Sequence, residues 1–155
     1  MFKHLRYLRC LNFYMLDIKT IKEILHKREL KATNSRIDLL SNLDKFGSAM
    51  PYSAIQKALK STDRVTLYRT LQTLGDKGII HKAAHIDNED YYAICEHSCT
   101  ADEHIHHHVH FKCDDCHTIT CENIEKEIDL SIPNYKINSV SINVNGKCKD
   151  CLESV

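Results

Sequence analysis

Asp63-Arg64-Val65-Thr66-Leu67-Tyr68-Arg69-Thr70-Leu71-Gln72-Thr73-Leu74 is the stretch on which the fold turns. Leu67, Leu71 and Leu74 recur at i, i+4 and i+7, which predicts a helix with one apolar stripe turned to a core. Tyr68, Arg69 and Gln72 lie off that stripe. Ser61 and Thr62 stand before it as candidate caps, and Gly78 stands where the helix would end.

Toward the N-terminus the same periodicity predicts three more helices. Asp17 can cap one that runs to Leu30 with Ile18, Ile21 and Leu25 on one face. Asn34 can cap a second with Ile37, Leu40 and Leu43, stopped near Gly47. Pro51 opens a short third with Ile55 and Leu59. Residues 1–16 are expected to form a tail. Toward the C-terminus, Ile79-Ile80-His81-Lys82 and Tyr91-Tyr92-Ala93-Ile94 predict two strands, turned by Asp87-Asn88-Glu89-Asp90. Helices followed by such a hairpin make a winged helix-turn-helix, expected over 17–95. Beyond it a strand is expected over 106–112, a short helix from Asn123 to Asp129, and alternation from Tyr135 to Val144, with Asn145-Gly146 as a turn. The expected fold class is α+β: a winged helix and then, over 96–155, a small α/β dimerisation domain.

The formal net charge is zero, but it is segregated: residues 1–82 carry 16 Lys/Arg against 7 Asp/Glu, and residues 83–155 carry 5 against 14. A basic first half suits a DNA phosphate backbone, and an acidic second half suits cations. No apolar run approaches a membrane span, and Arg6, Arg9 and Asn12 interrupt any apolar leader, so a cytoplasmic protein is expected. The pattern predicts no enzyme and no small-molecule substrate. The deaminase His-x-Glu and the metalloprotease His-Glu-x-x-His are both missing, as is a Gly-rich phosphate loop.

Residues 95–121 hold five of the eight Cys and seven of the eleven His. Cys113-Asp114-Asp115-Cys116 and Cys148-Lys149-Asp150-Cys151 are two CxxC units. Redox pairs or disulfides would use the same spacing. Two such turns, however, close a tetrahedral shell of four thiolates, which is the pattern of a structural zinc site. His106, His108 and His110 would share one strand face near Cys95 and Cys121, a mixed N/S set that favours zinc and admits Fe2+.

The His-rich strand followed by the two CxxC units, with Thr66-Leu67-Tyr68-Arg69-Thr70-Leu71 before them, resembles the ferric uptake regulator family over roughly 17–151. Gly78-Ile79-Ile80-His81-Lys82 and Tyr92-Ala93-Ile94-Cys95 resemble its zinc-sensing branch. The resemblance implies a homodimeric repressor that binds palindromic double-stranded DNA when a sensing site is loaded with Zn2+ or Fe2+. It implies His81, Cys95, His108 and His110 as sensing ligands; Asp102 and His106, from the histidine-rich stretch itself, and Cys121 are further candidates. Cys121 stands where the family often has an acidic ligand. Ala49-Met50 replaces the histidine that iron and peroxide sensors carry before the third helix, and Val140 occupies the region of a late-strand histidine. Arg64, Thr66, Tyr68 and Arg69 are the expected DNA contacts, the last two supported by the resemblance. A redox-, peroxide- or haem-responsive regulator of the same fold is the alternative, and a metal store or chaperone a weaker one.

Overall fold

The computed structural model describes residues 16–95, 108–126, 128–137, 140 and 142–154, apart from the side chain of His108. Four helices open the chain: α1 (Ile18–Lys27), α2 (Asn34–Phe46), α3 (Tyr52–Ala58) and α4 (Arg64–Asp76). Asp17 caps α1, accepting the Thr20 N–H at 2.7 Å, and Ile21 and Leu25 are buried one turn apart. The cap of α2 is Thr33 rather than Asn34, which is the first helical residue, and Gly47 ends the helix in the left-handed conformation at φ 70°. In α4 the cap is Asp63, not Ser61 or Thr62. Its carboxylate accepts the Thr66 N–H at 2.9 Å and stabilises the first turn.

Strands β1 (Met50–Pro51), β2 (Ile80–Ile86) and β3 (Glu89–Ile94) form an antiparallel sheet in the order β1-β3-β2. The β2–β3 turn is only Asp87-Asn88, both at positive φ (52° and 63°). Two such residues match the right-handed twist of the flanking strands, so the hairpin is tighter and its strands longer than the sequence pattern implies. One core joins this sheet to the helices. Ile21, Leu25, Leu39, Leu40, Ile55, Leu67, Leu74 and Ile80 are all within 2 % of full burial. Each such side chain contributes about 1.5–3 kcal/mol, so the four helices and this sheet share a core of their own.

The second sheet has the order β5-β4-β6, built from β4 (His108–Cys113), β5 (Ile119–Asn123) and β6 (Asn143–Gly146). β4 pairs antiparallel with β5 and parallel with β6. Here the structure corrects the sequence reading. Asn123 closes β5, and no helix forms among the described residues of 123–129. Residues 135–137 are not in a strand, and Asn145-Gly146 lies inside β6 instead of turning. β6 lies on the far side of β4 from β5, so the 124–142 segment links two strands that are not paired with each other, and its alternation is not that of a hairpin arm. A final turn of helix, α5 (Lys149–Leu152), follows Cys148.

The two sheets meet through small side chains. Ala49, Ala83 and Ala93 bury against Ile119, with Cys121 packed beside them, and the Ala49 N–H donates to the Ile119 carbonyl at 2.9 Å. No helix among the described residues is long and apolar enough to cross a membrane.

Candidate metal centres and nucleic-acid face

Two donor clusters stand in the second half of the chain. The first lies where β4 and β6 end. Cys113 closes β4 and Cys116 follows a tight turn, in which the Cys113 N–H donates to the Thr118 carbonyl at 3.0 Å and His117 takes φ 59°. The Asp114 N–H donates to the Gly146 carbonyl at 2.7 Å, which brings the second CxxC alongside. The sulfurs of Cys113, Cys116, Cys148 and Cys151 all lie within 4.8 Å of one another, with Cys116 and Cys148 3.8 Å apart. A tetrahedron of metal–sulfur bonds of about 2.3 Å has edges of about 3.8 Å, so the set fits a zinc-sized cation. Burial pushes the Cys113 thiol up, but N–H groups of Cys116, Cys148 and Asp115 outweigh it and hold it down to about 6. Contact with Cys148, then burial, pushes Cys151 up to about 12. Crowded sulfurs resist sharing negative charge, and a cation among them reverses that.

The second cluster spans both halves. His81 comes from β2 of the hairpin, His110 from β4 and Cys121 from β5, and the last two are direct cross-strand partners. His81 Nε2 is 3.2 Å from His110 Nε2 and 3.5 Å from Cys121 Sγ, and the two imidazoles stack at 5.3 Å between centroids. Tetrahedral bonds of about 2.0–2.1 Å to nitrogen and 2.3 Å to sulfur give edges of about 3.4 Å and 3.6 Å, so this trio also fits a cation. Cys95 stands on the other side of the ring, its sulfur 3.4 Å from His81 Nδ1. His110 and Cys95 are buried and His81 is half-buried. A cleft of about 530 Å³ is lined by Lys82, His85, His110, Lys112 and Asn143, so of the trio it borders His110. Of the remaining expected ligands, Asp102 and His106 lie outside the described residues, as does the His108 side chain. Among the described residues no carboxylate joins either cluster.

On α4 the stripe reading holds: Leu67, Leu71 and Leu74 are buried, while Arg64, Thr66, Tyr68 and Arg69 are exposed. Tyr68 is 63 % exposed, so it is not a core residue. Val65, beside it, is 60 % exposed and was not singled out by the sequence. Lys57 and Lys60 were missed too; with Gln56 they flank Arg64 across a groove between α3 and α4. Their positive charge next to the helix start was the available signal. Ser53, on α3, donates its backbone N–H to Glu89 at 2.7 Å, which ties the hairpin to the helices.

A model of the ferric uptake regulator family matches residues 27–145. The chain belongs to the ferric uptake regulator family. Members are DNA-binding, metal-binding transcription regulators and not enzymes, so this protein is a metal-responsive transcription regulator that binds DNA. Solved structures agree on the fold. The chain is similar to holo XcZur (TM-score 0.64, 18 % identity, covering 88 % of this chain and 96 % of that one). It is similar to a zinc uptake regulator complexed with zinc and DNA (TM-score 0.63, 21 % identity, 88 % and 93 % covered). The Helicobacter pylori ferric uptake regulator Fur gives a TM-score of 0.54 at 22 % identity, with 90 % and 97 % covered. Comparison with curated protein sequences gives no match.

Proposed function

We propose that this regulator is a homodimeric repressor of metal-uptake or metal-homeostasis genes, working in the cytoplasm with zinc as its corepressor. The observation that carries the reading is the approach of His81, from the hairpin, to His110 and Cys121, from the second sheet, at 3.2 and 3.5 Å. In this reading residues 17–95 are the DNA-reading head and 96–155 the dimerising half. Cys113, Cys116, Cys148 and Cys151 hold a structural zinc, since four thiolates leave no open coordination position. His81, His110 and Cys121 hold the regulatory ion. Cys95 accepts the Nδ1–H of His81 and so fixes the rotation of its ring.

A bound cation supplies one point of attachment shared by both halves. His81 then fixes the hairpin against β4 and β5, and the Ala49, Ala83, Ala93 and Ile119 joint seats that angle. In a dimer the angle sets the separation of the two α4 helices, which must match half-sites about 34 Å apart or a multiple of that. Arg64, Thr66, Tyr68 and Arg69 reach into the major groove, while Lys57 and Lys60 take phosphates. Metal and DNA are linked reciprocally, so operator DNA tightens metal binding.

The test is fluorescence anisotropy of palindromic and random duplexes at one fixed salt concentration. Zinc is compared with a chelator too weak to strip the four-cysteine site. Zinc is expected to tighten palindrome binding by about tenfold or more. Equal affinity in both conditions would sink the reading.

A further inference from the structure

We infer that Cys121 sets the metal selectivity of the regulatory centre, tuning it to zinc and other thiophilic cations against the oxygen-seeking Mn2+. This inference rests on the regulatory site proposed above and deepens it.

Three observations carry it. First, the donors that converge at the joint are two imidazole nitrogens and one sulfur, and no carboxylate joins them among the described residues. Glu122, the neighbouring acid, is exposed, pairs with Val109 and lies on the opposite pleat face by strand alternation. Second, the sulfur is held where a ligand is needed. Cys121 lies directly across from His110 and packs against the Ala49, Ala83, Ala93 and Ile119 joint. Its sulfur sits 3.5 Å from His81 Nε2. Third, these separations match the edges of a small tetrahedron, the geometry of zinc with mixed N/S ligands. Thiolates select soft and borderline cations, whereas carboxylates suit manganese. Any nitrogen site already prefers zinc to Mn2+, and the thiolate at 121 widens that gap.

The experiment uses the full-length protein with its four-cysteine site filled by zinc. Co2+ is added as the second equivalent, and Zn2+ and Mn2+ affinities are measured by chelator competition. The native protein is expected to show a sulfur-to-cobalt charge-transfer band in the near ultraviolet. Cys121→Asp should lose that band while keeping cobalt bound, and its Zn2+/Mn2+ affinity ratio should fall by about tenfold or more. Cys121→Ser, close to isosteric, should lose the band as well, and it guards against misfolding of the charged variant. An undiminished band in both variants, or an unchanged ratio in Cys121→Asp, overturns the inference while leaving the regulatory site standing. Failure of the native protein to take up a second equivalent overturns the site itself and this inference with it.

Discussion

Replacing Cys113 with serine should unfold one half of this regulator and spare the other. Cys113 is wholly buried, and its sulfur receives the Cys148 N–H at 3.4 Å, so the change strikes the centre of the four-cysteine cluster. Besides the cysteine itself, the buried apolar side chains of β4, β5 and β6 among the described residues are Val109 and Ile119. At about 1.5–3 kcal/mol each, they contribute about 3–6 kcal/mol. Ordering a residue's backbone costs about 1–2 kcal/mol, and the three strands hold many more residues than that burial can offset. A structural zinc contributes about 10–16 kcal/mol, so it outweighs apolar burial here and its loss cannot be absorbed. The four helices and the β1-β3-β2 sheet are different, because their core is built from residues between Leu16 and Ile94 and, among the described residues, takes none from β4, β5 or β6. The assay is hydrogen exchange by mass spectrometry on full-length Cys113→Ser, with zinc counted per chain. Residues 108–123 and 143–152 should exchange quickly while 18–76 stay protected, and one zinc should be missing. Persistent protection of β4 in a protein that has lost that zinc would falsify the structural role of the cluster.

Three further outcomes are expected. Arg69→Ala should weaken palindrome binding by about 1–3 kcal/mol with no change in Tm, because the side chain is exposed; a fall in helicity by circular dichroism would instead make it structural. Lys60→Ala should weaken random and palindromic DNA alike and reduce the slope of log affinity against log salt by about 1; an unchanged slope would remove Lys60 from the phosphate contacts. Asp63→Ala should lower Tm, and the effect should depend on pH. Hydrogen bonding to Thr66 holds the Asp63 carboxyl below the usual carboxylate range. Its contribution is therefore complete above an ordinary aspartate pKa of about 3.9 and is lost as pH falls through the lower folded value. A Tm gap between the two proteins that does not close on acidification would show that the cap acts without its charge.

Local chemistry was legible in the sequence. The Leu67, Leu71 and Leu74 spacing defined α4, since a 3.6-residue period commits one face to burial whatever the partner. The two CxxC units pointed to a four-sulfur cluster because each turn presents two sulfurs by itself. Capping was less legible: Thr33 and Asp63 replaced their neighbours, because a cap depends on which residue first leaves helical dihedrals. Among the described residues of 123–129 no helix forms, and Asn145-Gly146 pairs in β6 instead of turning, because β6 docks on the far side of β4 from β5, a choice of partner that no local pattern encodes. Tertiary structure alone brought His81, His110 and Cys121 together. His81 is 29 residues from His110 and 40 from Cys121, and no periodicity spans such gaps. What closes them is a joint of three alanines small enough for the hairpin to lie against Ile119, and the register that sets Cys121 opposite His110. Spacing can present donors from one turn, whereas donors from separate elements meet only where packing brings their backbones together.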